Sequence, residues 1–298
     1  MTSGMNVPIA LGAQMILIPI SDAALVLHHI RLYQPTVFPG VPSLYTAINH
    51  AENVRAYGLS SIAACTSGSA PLPVEVQEEF EKLTRGRLLE GYGLTEASPV
   101  THANPLAGMR KTGSVGVPLA NTDAKIVSLT TGEDLPEDTI GELAVRGPQV
   151  MQGYWNGAAQ SRQDTTLCDG WLLTGDLATM DQDGYFQVLG RKRDTIVVDG
   201  QPVYPRDIEE LIYEHPKVLE VAVVGVDDPV SGQRPKAFVV PGPDTAPTED
   251  ELLDLCQRRL EPRAVPVAIE LCDALPRSHI GKVIRRHLGT CDKEAEGA

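Results

Sequence analysis

The sequence lacks every cysteine pattern that would point to a metal centre or a disulfide framework. Its five cysteines, Cys65, Cys168, Cys256, Cys272 and Cys291, are odd in number and no two stand in Cys-x-x-Cys spacing. Reduced thiols are the expectation. Positive charge is also short: 25 Lys and Arg against 39 Asp and Glu give a formal net charge of −14. An acidic surface repels phosphate backbones, which argues against a nucleic-acid partner. Residues 6–20 are mostly apolar but are interrupted by Pro8, Gly12, Gln14 and Pro19. The run is too short and broken to span a membrane, and no basic residues precede it as in a signal peptide. There is no Gly-x-Ser-x-Gly and no Ser/His/Asp set, so a hydrolase has no support. Internal repeats and low-complexity tracts are absent too.

What remains is the composition of a globular α/β protein. The chain has 298 residues, 42% hydrophobic and 21% charged, which suggests about two domains. Residues 6–20 read as interior core, ending in a strand over 15–19. A domain seldom opens on core, so the chain looks as if it starts inside one. Ser21 and Asp22 are placed to cap a helix running to about Arg31. A strand over 36–38 and a proline-started helix over 42–49 follow. Residues 62–65 read as a buried strand, and a helix opened by Pro73 carries Val76, Phe80 and Leu83 on one face. Residues 87–90 read as the next strand. Short β-like runs then occupy 124–127, 141–145, 171–173 and 185–189, separated by Gly, Asp and Pro turns. They suggest a small β-barrel or sheet. After residues 195–198 comes a helix with Ile208, Leu211 and Ile212 on one face. Strands over 218–226 and 236–240 follow. Thr248 and Glu251 form a capping box for a last helix. The boundary between domains is expected at 191–194.

Several loops carry residue types suited to a nucleotide. Ser67-Gly68-Ser69-Ala70-Pro71-Leu72 joins a strand to a helix, and its small residues let a flat ring approach the backbone. In Gly91-Tyr92-Gly93-Leu94-Thr95-Glu96, Tyr92 offers an aromatic face and Thr95 a hydroxyl for a phosphate. Glu96 offers the hard oxygen that Mg²⁺ prefers. Glu96 stands where a dinucleotide fingerprint needs glycine, so that motif is excluded. Asp176, in Thr174-Gly175-Asp176, has two oxygens that match a vicinal diol. Arg191, in the basic cluster 190–194, has donors for the same group. Lys282 follows Gly281, and Val283 after it excludes a Walker A loop. The adjacent histidines His28 and His29 face apart on a helix and read as no ligand pair.

In this order the motifs resemble the adenylate-forming superfamily: acyl-CoA synthetases, peptide-synthetase adenylation domains and firefly luciferase. Residues 36–45 and 113–118 add to the likeness, which is greatest to bacterial fatty-acid and acyl-CoA ligases. The resemblance implies a partial large AMP-binding domain over 1–191, a parallel sheet with helices plus a small β-barrel subdomain. It implies a compact, mobile α+β domain over 192–290 and a tail over 291–298. It assigns Ser67, Gly68, Ser69, Ala70 and Pro71 to an adenine wall, and Gly91, Tyr92 and Gly93 to the nucleotide. Thr95 and Glu96 fall to catalysis, with Glu96 on Mg²⁺. Asp176 and Arg191 fall to the ribose, and Lys282 to the adenylation transition state. Arg193 is the implied hinge, where Lys or Asp is more usual, and Gly200 lies in the segment facing the pantetheine arm of CoA. Val41, Leu44 and Tyr45 suggest an apolar acyl pocket. The implied function is that of an AMP-forming acyl-CoA synthetase of the cytoplasm, with ATP, CoA and an apolar carboxylic acid. The family's phosphate loop, with its lysine, is not found in this sequence. The other reading is therefore an N-terminally truncated, inactive remnant or nucleotide/acyl-binding module, or a chain that needs a separate N-terminal fragment.

Overall fold

The computed structural model describes residues 2–19, 22–154, 167–242, 245–278 and 282–288. They divide into two units, Met1–Val188 and Leu189–Ala298.

In the first unit, α1 (Val7–Ala10) is a single turn and α2 (Ala23–Tyr33) begins where the Asp22 carboxylate accepts from the Leu25 N–H at 2.8 Å. Ser21 lies outside the described residues. Strand β1 (Val37–Gly40) leads to α3 (Pro42–Asn49), whose first residue has the fixed φ of proline. Strand β2 (Ala64–Ser67), α4 (Val74–Thr84) and β3 (Arg87–Gly93) continue the alternation, and β1, β2 and β3 pair in parallel. Strands β4 (Val100–Ala103) and β5 (Val117–Pro118) extend the sheet antiparallel, in the order β1-β2-β3-β4-β5. Val26, Leu27, Ile30, Ile48, Phe80, Cys65 and Leu88 close the core over this sheet.

Two expectations fail here. Residues 15–19 form no strand, and Ile9, Leu11 and Leu17 are exposed. Tyr45 does not line a pocket. It is fully buried, its ring packs edge-on against Phe80 at 4.7 Å, and its hydroxyl donates to the Thr66 carbonyl at 2.9 Å.

The second sheet of this unit is built from β6 (Asp123–Val127), β7 (Gly141–Arg146), β8 (Leu167–Cys168), β9 (Trp171–Met180) and β10 (Phe186–Arg191). Its order is β10-β9-β7-β6, with β8 on β9. The sheet is open, so the expected β-barrel does not form among the described residues. β8 is two residues long and leaves the end strands β6 and β10 unjoined. Ile126, Leu143, Val145, Leu172 and Phe186 alternate inward to form its core.

The second unit follows a turn at Lys192–Asp194, where Arg193 is exposed. Strands β11 (Ile196–Val198) and β12 (Gln201–Val203) form a hairpin through Asp199 (φ 49°) and Gly200 (φ 75°). Two positive φ values are what a two-residue hairpin turn needs, and Asp-Gly supplies them. Helix α5 (Pro205–Tyr213) precedes the long antiparallel pair β13 (Val218–Asp228) and β14 (Gly232–Pro241). Helix α6 (Glu249–Arg259) starts with the Thr248/Glu251 capping box, and β15 (Ala268–Leu271) pairs parallel with β14. Alternate residues serve two cores. Val221 and Val223 face α5 and α6 with Ile208, Leu252 and Cys256, while Ala222 and Val224 join Phe238, Leu275 and Leu288. The described cysteines are free, and burial pushes the Cys65 thiol up to about 12. The tail over 291–298 lies outside the described residues.

Candidate functional site

Three of the stretches named from sequence, around Ser67, Tyr92 and Asp176, are joined through β3. Ser67 ends β2 opposite Glu90 in β3. Its side chain is buried, and its hydroxyl has no hydrogen-bond partner in the protein. A buried hydroxyl of this kind costs stability unless something else satisfies it. Beyond it the chain must pass close to β3. A Cβ on Gly68 would lie 3.5 Å from the Gly91 carbonyl. Ser69 takes φ 77°, and Ser69, Ala70 and Pro71 are exposed. The loop is tied down at its far end, where the Leu72 N–H donates to the Glu90 carboxylate at 3.2 Å.

Gly91, Tyr92 and Gly93 are not a turn leaving the strand. They are the last residues of β3 and pair antiparallel with β4. Gly93 is required by contact: an added Cβ would lie 1.9 Å from the Pro99 carbonyl oxygen. Thr95 begins the short turn Thr95–Ala97, its side chain is exposed, and Leu94 occupies the cap position. Glu96 is half-buried and accepts from the Tyr154 hydroxyl at 2.8 Å.

Thr174, Gly175 and Asp176 belong to β9, where β7 pairs Glu142 with Leu177 but Ala144 with Leu173, so the triplet bulges opposite Leu143. Gly175 takes φ 71° there. Bulges re-aim side chains, and this one holds Asp176 buried. The Thr174 hydroxyl supports the Asp176 N–H at 3.1 Å, and the Glu142 carboxylate takes the Gly175 N–H at 3.0 Å. The Tyr92 hydroxyl donates to Asp176 Oδ2 at 2.5 Å across 84 residues of sequence. Two of the named motifs therefore meet directly.

Behind Tyr92 stands His102, fully buried, with ring centroids 5.9 Å from Tyr92 and 4.7 Å from Phe186. Burial lowers its pKa to about 4, so it is neutral at pH 7. Its Nδ1 pairs with the Thr101 hydroxyl at 2.9 Å. Sequence reasoning passed over His102, Glu90, Glu142 and Tyr154. Glu90 carried a signal, a carboxylate directly after Leu88 and Leu89 at the end of an apolar strand.

Among the described residues no three His, Cys, Asp or Glu side chains cluster as a metal site. Glu96 therefore belongs to no such cluster. That suits Mg²⁺ shared with phosphate oxygens and does not suit an all-protein cage. In the second unit Gly200 has open space where a Cβ would stand. Lys282 is exposed on a narrow loop, its N–H donating to Ser278 Oγ at 3.2 Å and its carbonyl accepting from the Ser278 N–H at 2.8 Å. Gly281 is outside the described residues. Arg191 ends β10 beyond the boundary of the first unit.

The comparisons with known proteins bear on the family and the fold. A family model described as AMP-binding enzyme matches residues 1–155, and one described as AMP-binding enzyme C-terminal domain matches 207–282. A long-chain-fatty-acid–CoA ligase of Bacillus subtilis (strain 168) is 46% identical over 288 residues, covering 97% of this chain and 51% of the relative. The ATP-bound crystal structure of MatB from Rhodopseudomonas palustris is 32% identical with a TM-score of 0.89, over 97% of this chain and 57% of that one. The anthranilate CoA ligase AuaEII, in complex with anthranoyl-AMP, is 31% identical with a TM-score of 0.87, over 96% and 56%. The chain thus spans about half the length of the curated relatives it matches. With a family match over its first 155 residues and a second over 207–282, the chain belongs to the AMP-binding enzyme family.

Proposed function

We propose that this chain works within an AMP-forming acyl-CoA synthetase acting on a carboxylic acid with an apolar tail. The acid and ATP give an acyl-adenylate and pyrophosphate; CoA then displaces AMP to give the thioester. The observation that carries this reading is the Tyr92–Asp176 hydrogen bond, which joins two nucleotide motifs of the family into one site. The relatives named long-chain-fatty-acid–CoA ligase support the acid class.

The roles follow from the chemistry each group can do. Asp176, held on its bulge and by Tyr92, accepts from the ribose hydroxyls, and Arg191 adds donors to the same sugar. The wall from Ser67 to Pro71 receives the adenine, and the partnerless Ser67 hydroxyl gains a hydrogen bond from the nucleotide. Thr95 donates to a phosphate oxygen. Mg²⁺ on Glu96 would neutralise phosphate charge as it develops. Lys282 donates to the oxygens that gain negative charge as the carboxylate attacks the α-phosphate. Stabilisation that grows toward the transition state is what speeds the step. The second unit, over Leu189–Ala298, acts as the mobile domain, with Arg193 at the hinge. It presents Lys282 for adenylation and the Asp199-Gly200 hairpin for thioester formation.

The relatives are about twice as long, and no phosphate loop is found in this sequence. We therefore assign that loop to a further segment, joined to this chain or separate, that covers the exposed apolar residues Ile9, Leu11 and Leu17. Among the described residues no helix is long and apolar enough to cross a membrane, and ATP and CoA as substrates point to the cytoplasm. The test is fatty-acid-dependent ATP–pyrophosphate exchange by this chain together with its complementing segment. Exchange should require the acid, ATP and Mg²⁺, and Asp176→Ala should abolish it. Exchange that proceeds unchanged in Asp176→Ala refutes the assignment.

A further inference from the structure

We propose that Arg285 is the positioning residue for Lys282, fixing the lysine's loop to α5 through a two-pronged bond to Glu209 and to β13 through the Val223 carbonyl. The proposal rests on the adenylation role given to Lys282 above. All the groups involved lie in the second unit.

The loop is narrow at its base. Arg277 bridges Val283, and the Ile284 N–H donates to the Pro276 carbonyl at 2.8 Å. Lys282 itself is exposed, so its place is set by what holds the base. Two ion pairs do so, one to β13 and one to α5. On one side Arg277 meets Glu220 at 2.5 Å. On the other, both terminal nitrogens of Arg285 meet the two oxygens of Glu209. The Arg285 guanidinium also donates to the Val223 carbonyl at 2.8 Å, while Glu209 accepts from the Val223 N–H at 2.7 Å.

This arrangement solves a problem of the fold. β13 is an end strand of its sheet, and an end strand leaves backbone donors and acceptors unpaired. At Val223 the helix α5 supplies the acceptor and the residue three after Lys282 supplies the donor. Val283 and Leu288 add apolar contacts on the sheet face. The pair is mostly shielded from solvent, with side-chain exposures of 30% for Arg285 and 13% for Glu209. The negative charge of Asp194, in the turn that opens the unit, acts on the same guanidinium. A shielded ion pair is weak evidence for stability, because apolar residues often serve as well. What a planar fork gives is orientation. A lysine on a long flexible stem contributes to a transition state only if its base is held. A displacement of about 1 Å costs roughly 100-fold in rate.

The experiment uses the complete ligase carrying this chain, with variants Arg285→Ala, Arg285→Lys, Glu209→Gln and Lys282→Ala, and the exposed neighbour Arg286→Ala as control. Three things are measured: hydrogen exchange at Lys282 and Ile284 against that of the β13–β14 core, acid-dependent pyrophosphate exchange, and thioester formation from supplied acyl-adenylate. In Arg285→Ala the loop amides should exchange faster while the core stays protected. The adenylation kcat should fall about 100-fold, with KM and the thioester step within about threefold. Arg285→Lys, which keeps the charge but loses the fork, should fall between wild type and Arg285→Ala. It also carries the test if Arg285→Ala does not fold. Arg286→Ala should match wild type. If Lys282→Ala is inactive but Arg285→Ala and Arg285→Lys adenylate at the wild-type rate, the positioning role is wrong and the role of Lys282 stands. Equal loss in both half-reactions likewise overturns it. If Lys282→Ala adenylates normally, the reading of Lys282 fails and the proposal with it.

Discussion

Replacing His102 by Leu should make the first unit less sensitive to acid, although it removes native contacts. His102 is fully buried and neutral, with its pKa lowered from 6.5 to about 4 by burial. In the unfolded chain the same imidazole takes up its proton near pH 6.5. The sign follows from linkage. Above pH 6.5 both states are neutral and the group costs nothing. As the pH falls below 6.5 the unfolded state gains the proton first, so stability is lost, and the loss levels off below pH 4. For pKa values of 6.5 and 4, the ratio of binding polynomials gives a loss of about 2 kcal/mol between pH 7.5 and pH 5. His102→Leu abolishes this part of the pH dependence. At pH 7.5 the variant should be less stable by about 1–3 kcal/mol, because the ring contacts with Phe186 and Tyr92 are lost. The two curves should therefore converge toward pH 5. The assay is urea unfolding at several pH values, followed by tryptophan fluorescence. Both tryptophans of the chain precede residue 189, so the signal follows the first unit. Parallel curves for wild type and variant, separated by a constant amount from pH 7.5 to pH 5, would refute the reasoning.

Tyr92→Phe removes the donor to the buried Asp176 and should cost about 1–3 kcal/mol in urea unfolding at pH 7. Unchanged stability would mean that the bond adds nothing. Gly93→Ala should prevent folding of the first unit, since its Cβ would lie 1.9 Å from the Pro99 oxygen. Gly91→Ala, at 3.2 Å from the His102 oxygen, should remain folded; circular dichroism and soluble yield distinguish the two. Thr248→Ala loses the capping box of α6 and should lower the stability of the second unit by about 1 kcal/mol, measured by hydrogen exchange of α6. Gly200→Ala should fold with a loss of about 1–2 kcal/mol, because φ 75° is unfavourable for alanine. In the complete ligase it should slow thioester formation while sparing pyrophosphate exchange, as the two half-reaction assays can show.

Much of the first sheet and most of the second unit was legible because local rules decide them. Proline at the start of α3, Asp22 before α2, and Thr248 with Glu251 before α6 act within one helical turn. The apolar spacing of α4 and α5 marks which face is buried. The Asp199-Gly200 hairpin and β12 are not read from the sequence, which is expected to run from 195–198 straight into a helix. Residues 15–19 show the limit. An apolar run resembles core by composition, but burial depends on a partner, and Leu17 is exposed. Tyr45 shows the reverse case. Its residue type suits a pocket wall, yet Phe80 and the carbonyls of Phe38 and Thr66 hold it inside the core.

By itself the sequence determined the family, the order of the nucleotide motifs and the residue types that bear chemistry, because these depend on side-chain identity and spacing. The tertiary structure alone decided how those residues are held. It placed Asp176 on a bulge within β9, ran Gly91-Tyr92-Gly93 into a strand, and brought Tyr92 to Asp176. It also left the sheet of β6–β10 open and set Arg285 on Glu209 at the free edge of β13. These features rest on register and on contacts between residues distant in sequence. Neither is encoded in any one segment, because a strand's pairing is fixed only when its neighbours are in place.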